Sequence, residues 1–166
     1  MRIDSEVGVG TTMALYLPRF TGVLPQDDVT PSNRPLQRNA SQSYTVLLVE
    51  DETAIRVLIS EVLTEAGYRV IETAEGNAAI ERLRSHEHID VLVTDVGLTG
   101  GLNGRQVADA GRQSRPALPV LFVTGYAATA AVGAGQLDEG MEVLTKPFQA
   151  IELERRMAQL LERRVQ

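Results

Sequence analysis

Five residues at or beside the ends of apolar runs carry side chains able to do chemistry together. Glu50 and Asp51 follow "YTVLLV", Asp95 follows "DVLVT", Thr124 lies in "PVLFVTG" and Lys146 follows "MEVLT". An apolar run leading straight into carboxylates demands a reason, because desolvating an unpaired carboxylate costs far more than one aliphatic side chain gains. If the runs are strands of one parallel sheet, all five side chains gather at the strands' carboxyl ends, the rim where open α/β sheets bind ligands. Carboxylates so gathered repel by roughly 4 kcal/mol for a pair about 4 Å apart at an effective dielectric near 20. A cation or protons must compensate. An all-oxygen donor set with no Cys and no nearby His suits Mg²⁺ or Mn²⁺ better than Zn²⁺. Lys146 adds a mobile positive charge and Thr124 a hydroxyl donor. Acids, a hard cation, a lysine and a threonine are the equipment of phosphoryl transfer, in which positioning and charge neutralisation carry most of the catalysis and an aspartate can be the nucleophile.

The elements that must position these groups are legible from Tyr44 onward. Tyr44 to Val49, Asp90 to Thr94, Pro119 to Gly125 and Met141 to Thr145 are short β-branched-rich runs, the mark of strands buried on both faces, and the more alternating Tyr68 to Glu72 is a fifth strand. Between the first strand and this one, Ile55, Leu58, Ile59, Val62, Leu63 and Ala66 recur at helical spacing, with Gly67 as a C-terminal stop. Gly76 to Arg84, Gly104 to Arg112 and Ala150 to Arg164 read as further helices, the last with Leu153, Met157, Leu160 and Leu161 on one face. Alternating strands and helices predict a doubly wound five-stranded parallel α/β sheet covered on both sides.

Composition bounds the partners. The chain has 166 residues, 43% of them hydrophobic, no cysteine and a formal net charge of −6. A core can form without disulfides, and a reducing compartment, most simply the cytoplasm, is the expectation. The acidic balance argues against nucleic acid as a partner. No apolar stretch approaches a membrane span, and "MRIDSEVG" lacks the apolar segment of a signal peptide. Residues 19–43, with Pro25, Pro31 and Pro35 among polar residues, read as a linker. Ahead of it, Thr12 to Leu17 alternate like a strand behind a glycine turn, and about eighteen residues cannot make a core of their own.

Residues 44–166 resemble a bacterial response-regulator receiver domain: an acidic pair after strand one, then "TDVGL", "VTGY" and "TKPF" in order. The resemblance implies a flavodoxin-like strand order 2-1-3-4-5 and an Asp95 that accepts phosphate from a phosphohistidine. It further implies that Asp51 and Asp95 ligate Mg²⁺ (or Mn²⁺) with the backbone carbonyl of Gly97, that Glu50 acts through a water, and that Thr124 and Lys146 bind phosphoryl oxygens. Two departures stand out. The loop "DVGLTGGLNG" is one residue longer than the common version and has Thr99 where proline is usual. Val143 occupies the place of the switch aromatic, which leaves Thr124 and Tyr126 to carry any signal. Residues 1–18, with "SEVGVGTTMALYLPR", resemble the last glycine box and final strand of a histidine-kinase ATP-binding domain. Kinase tail, linker and receiver in that order imply the C-terminal piece of a hybrid histidine kinase, monomeric or weakly dimeric, with a histidine kinase or a histidine phosphotransfer protein as partner.

Plainer roles suit other residues. Glu52 reads as a helix-start charge, Phe148 as core, His86 and His88 as solvated loop residues, and Gly104 as the entry to the third helix. Two other function classes compete with the phosphoacceptor: a receiver that only docks partners, disfavoured by the complete acid, Thr and Lys set, and a haloacid-dehalogenase-like phosphatase, which wants a second Asp where Gly97 stands. The chain ends soon after the last helix, so no DNA-binding effector domain is expected. Any catalysis is limited to the receiver's own phosphorylation and dephosphorylation.

Overall fold

The structure is a computed structural model that describes residues 2–8, 10–14, 16, 44–125 and 137–163. The chain divides into two units, Met1–Arg38 and Asn39–Gln166. In the first, β1 (Arg2–Glu6) and β2 (Gly10–Ala14) form an antiparallel hairpin with Arg2 opposite Ala14 and Glu6 opposite Gly10. The sequence reading placed one strand here, at residues 12–17, and missed β1, whose alternation is hidden because both faces carry polar residues. Gly8 turns the hairpin with φ 82, a region that glycine enters without steric cost. Ile3 and Met13 pair across it and both are exposed, so the hairpin has no core of its own. The proposed linker at 19–43 lies outside the described residues.

The second unit holds β3 (Thr45–Val49), α1 (Thr53–Glu65), β4 (Arg69–Thr73), α2 (Gly76–Arg84), β5 (Val91–Asp95), α3 (Gly104–Ser114), β6 (Val120–Thr124), β7 (Met141–Thr145) and α4 (Ala150–Glu162). The five strands pair in parallel in the order β4-β3-β5-β6-β7, the 2-1-3-4-5 order expected of a flavodoxin-like sheet. Successive residues of β3 point to opposite faces. Leu47 and Val49 join Ala79, Leu83, Val107 and Ala108 of α2 and α3 on one side. Val46 and Leu48 join Ile59, Leu63, Leu153 and Met157 of α1 and α4 on the other. Both clusters are needed for the continuous apolar strands to be buried, and β3, β6 and the first four residues of β5 are buried without exception.

One helix position departs from expectation. Leu58 is 59% exposed, whereas Ile59 and Leu63 are buried. At about 100° per residue Leu58 stands a quarter-turn or more from the Ile59–Leu63 stripe, which the spacing rule admits but the sheet does not cover.

One side chain ties the end of α2 and the loop before β5 together at four carbonyls. The Arg115 guanidinium donates to the carbonyls of Leu83 (2.9 Å), Ser85 (3.1 Å), Glu87 (2.7 Å) and Ile89 (3.3 Å). Five donors in a rigid fork suit this task, and an ammonium cannot span it. Arg115→Met is expected to destabilise the unit by about 2 kcal/mol, the scale of hydrogen bonds to a charged group, and Arg115→Lys to recover little of it. Urea midpoints at unchanged slope measure this, and faster amide exchange confined to residues 85–90 would localise it.

Candidate functional site

The carboxyl ends of β3, β5 and β7 bring Glu50, Asp51, Asp95 and Lys146 together. Carboxylate oxygens of Glu50, Asp51 and Asp95 lie within 4.8 Å of one another. The Lys146 ammonium donates to Glu50 Oε2 at 2.7 Å and to Asp95 Oδ2 at 3.2 Å. Lys146 reaches this position from a backbone whose own N–H donates to the Thr124 carbonyl at 2.7 Å.

Glu50 is 1% exposed, the most buried of the acids. Burial holds its carboxyl above the usual value, against the pull of the Lys146 hydrogen bond and charge. For Lys146 burial works against the charge, but the Glu50 hydrogen bond and the charges of Glu50 and Asp95 outweigh it and hold the ammonium above its usual value. Asp51 behaves oppositely. The Thr99 hydroxyl, followed by the Thr99 backbone N–H, holds its carboxyl below the usual range.

The loops carrying these acids are themselves anchored. Arg56, one turn into α1, donates to the carbonyls of Glu50 (2.7 Å) and Asp51 (3.4 Å) and pairs with Glu72 at 3.6 Å. After β5 the chain turns sharply: Gly97 N–H donates to Asp95 Oδ1 at 3.0 Å, and Gly100 and Gly101 adopt φ 95 and 109. Asn103 and Gln106 then close a capping box at the start of α3. Thr99, between these turns, reaches across to Asp51 Oδ2 with both its N–H (3.0 Å) and its hydroxyl (2.5 Å). The longer loop thus has a defined path, and threonine makes two hydrogen bonds of which proline can make neither.

Of the predicted site residues, Glu50, Asp51, Asp95 and Lys146 converge. Thr124 is fully buried at the end of β6, and its hydroxyl donates to the Gly125 carbonyl at 3.3 Å. Gly97 sits against Asp95 through its N–H. Val143 is half-buried opposite Phe122 and packs against the α2–α3 side of the core. Tyr126 lies outside the described residues. Phe148 packs against the α1–α4 cluster, as expected of core, and the exposed His88 pairs with Asp90 at 3.0 Å. Thr99 and Arg56 were missed as site residues. Their signals were present: a hydroxyl replacing proline, and a cation one turn after an acidic pair.

A divalent cation fits this donor set. Three carboxylates against one ammonium leave two negative charges, all donors are oxygen, and Asp51 and Asp95 are half-buried rather than sealed.

The sequence and fold match known proteins. The response regulator receiver domain family matches residues 46–158. The chain belongs to that family. Sensor kinase CckA of Brucella abortus is 34% identical over 165 residues, covering 96% of this chain but 17% of that protein. Response regulator receiver protein CpdR of the same organism is 31% identical over 116 residues, 70% of this chain and 95% of CpdR. The regulatory protein YrkP of Bacillus subtilis is 32% identical, and this receiver spans 51% of it. Among solved structures, a response regulator receiver protein from Sinorhizobium medicae superposes with a TM-score of 0.68 at 34% identity, covering 74% of this chain and 98% of that one. The chain is therefore a receiver of two-component signalling, and no helix among its described residues is long and apolar enough to cross a membrane.

For a divalent cation at this acidic cluster, a concentration of ten times its Kd is expected to stabilise the fold by about 1.4 kcal/mol, because binding relieves repulsion that the unfolded chain escapes. That corresponds to a rise of several degrees in Tm. Thermal melts with and without MgCl₂ test it, and Asp51→Asn should abolish the rise.

Proposed function

We propose that this receiver accepts a phosphoryl group on Asp95 from a phosphohistidine, with Mg²⁺ held by Asp51, Asp95 and the Gly97 carbonyl. The supporting observation is the Lys146 ammonium shared between Glu50 and Asp95 beside Asp51. An Asp95 oxygen attacks phosphorus, an O–P bond forms as the P–N bond breaks, and the leaving imidazole takes a proton from solvent. Lys146 keeps its charge throughout and offsets the negative charge arriving on the phosphoryl oxygens. A cation held by Asp51 and Asp95 would supply positive charge to offset the negative charge on the remaining phosphoryl oxygens. Glu50, tied to Lys146, holds the ammonium and acts toward the cation through water. Thr124 turns its hydroxyl from the Gly125 carbonyl to a phosphoryl oxygen, and that turn is the start of the output signal through Tyr126, since Val143 has no ring to rotate.

The donor is a histidine kinase or a histidine phosphotransfer protein. A hybrid-kinase origin is supported by the CckA alignment, which extends over 96% of the chain and so beyond residues 46–158 into the N-terminal segment, read here as residues 1–18 of a kinase ATP-binding domain's tail. Incubation with acetyl phosphate should add one phosphoryl mass to the intact protein, only when a divalent cation is present. Modification that survives excess chelator would count against the proposed site.

A further inference from the structure

Thr99 makes the two hydrogen bonds that fasten the β5–α3 loop to the acidic pair, and it spends both on one atom. Its N–H and hydroxyl meet Asp51 Oδ2 at 3.0 and 2.5 Å from 48 residues along the chain. A carboxylate oxygen has two lone pairs, so these donors fill Oδ2 and leave Oδ1 to ligate. The loop cannot easily withdraw them. Leu98 is buried and Leu102 packs on the same core cluster, so Thr99 is held between two apolar anchors, and Gly100 and Gly101 turn the chain immediately behind it.

A carboxylate reduced to one free oxygen treats hard cations unequally. Mg²⁺ takes six ligands in tight octahedral geometry and binds carboxylates through single oxygens, whereas Ca²⁺ takes six to eight ligands and readily uses both oxygens of a carboxylate. At Asp51 a two-oxygen grip would require Oδ2 to surrender both Thr99 donors. We infer that Thr99 is a specificity-determining positioning residue, which sets the site's preference for Mg²⁺ over Ca²⁺ by holding Asp51 as a one-oxygen ligand. The inference rests on the cation site proposed above and concerns a residue that ligates nothing itself. It also gives the departure from proline a consequence, since proline supplies neither N–H nor hydroxyl.

The chain has no tryptophan, so the cation is best followed by amide shifts of Asp51 and Gly97 in ¹⁵N-labelled protein titrated separately with MgCl₂ and CaCl₂. Thr99 is exposed, and Thr99→Val removes the hydroxyl at nearly constant shape, so folding is preserved. The ratio Kd(Ca²⁺)/Kd(Mg²⁺) is expected to fall about tenfold in Thr99→Val, the scale on which partners of metal ligands act, and to recover in Thr99→Ser. An unchanged ratio in Thr99→Val, or a higher one, overturns the inference. Failure of the site itself looks different: the parent protein and Asp51→Asn would respond alike to both cations.

Discussion

Asp95→Asn protein incubated with acetyl phosphate and Mg²⁺ is expected to gain no phosphoryl mass, while the parent gains one group. The substitution is close to isosteric. The Gly97 N–H, now 3.0 Å from Oδ1, keeps an acceptor, and Lys146 keeps Glu50 at 2.7 Å, so the geometry of the rim survives. What disappears is the anionic oxygen proposed to attack phosphorus, and an amide oxygen is a far poorer nucleophile. The loss should be on the order of a thousandfold or more in rate, the scale seen when a covalent catalyst loses its attacking group. Neighbouring acids are poor substitutes. Glu50 is 1% exposed and burial holds its carboxyl above the usual value, so a phosphoryl donor cannot approach it. Asp51 has one oxygen committed to Thr99. Peptide mapping completes the test, because label persisting at Asp51 or Glu50 in the Asn variant would move the nucleophile elsewhere.

Most of the receiver's architecture was legible because its strands are buried on both faces. An element that must be apolar on every side announces itself as an uninterrupted run, and helix and strand then alternate in a single order. The convergence of Glu50, Asp51, Asp95 and Lys146 followed from topology alone, since parallel strands place their carboxyl ends on one rim. Strand edges were less legible. The run beginning at Asp90 becomes a strand from Val91 to Asp95, because the buried Asp90 carboxylate accepts the Thr45 N–H at 2.8 Å and ties the foot of β3. That bond joins residues 45 apart, and no local pattern encodes it. Thr99 and Asp51 meet for the same kind of reason. Spacing marked the loop as longer than usual but could not say that its extra length brings a hydroxyl onto a carboxylate. The hairpin's first strand was hidden for the opposite cause, since an element without a core has no apolar face to read.

Gly104→Ala is expected to destabilise the receiver by about 2 kcal/mol and to slow phosphorylation of the molecules that remain folded. Gly104 opens α3, and helix propensity alone favours alanine there by about 1 kcal/mol. Sterics decide the sign. A Cβ on Gly104 would lie 2.0 Å from the carbonyl oxygen of Asp95, 2.8 Å from its carbonyl carbon and 2.8 Å from Thr94 Oγ1. Two of those atoms are backbone at the end of the central strand, and the Thr94 hydroxyl is fixed by its own bond to the Asp95 carbonyl at 3.0 Å, so no rotamer change relieves the clash. About 1 Å must open merely to reach 3.0 Å. Overpacking of this kind costs about 1–3 kcal/mol, which exceeds the gain in propensity. The displacement falls on the functional strand, where a shift of that size would lengthen the 3.2 Å contact between Lys146 and Asp95 beyond hydrogen-bonding range. Gly111→Ala is the internal control. Its Cβ would meet Leu83 Cδ1 at 2.9 Å, the mobile end of a side chain, and the cost there should stay below about 1 kcal/mol with phosphorylation unaffected. Urea denaturation of both variants, with acyl-phosphate formation measured at low temperature where each is folded, separates the two effects. Equal stability of the two variants would mean that Asp95 is not braced by the start of α3, and wild-type phosphorylation in a destabilised Gly104→Ala would confine the glycine's role to folding.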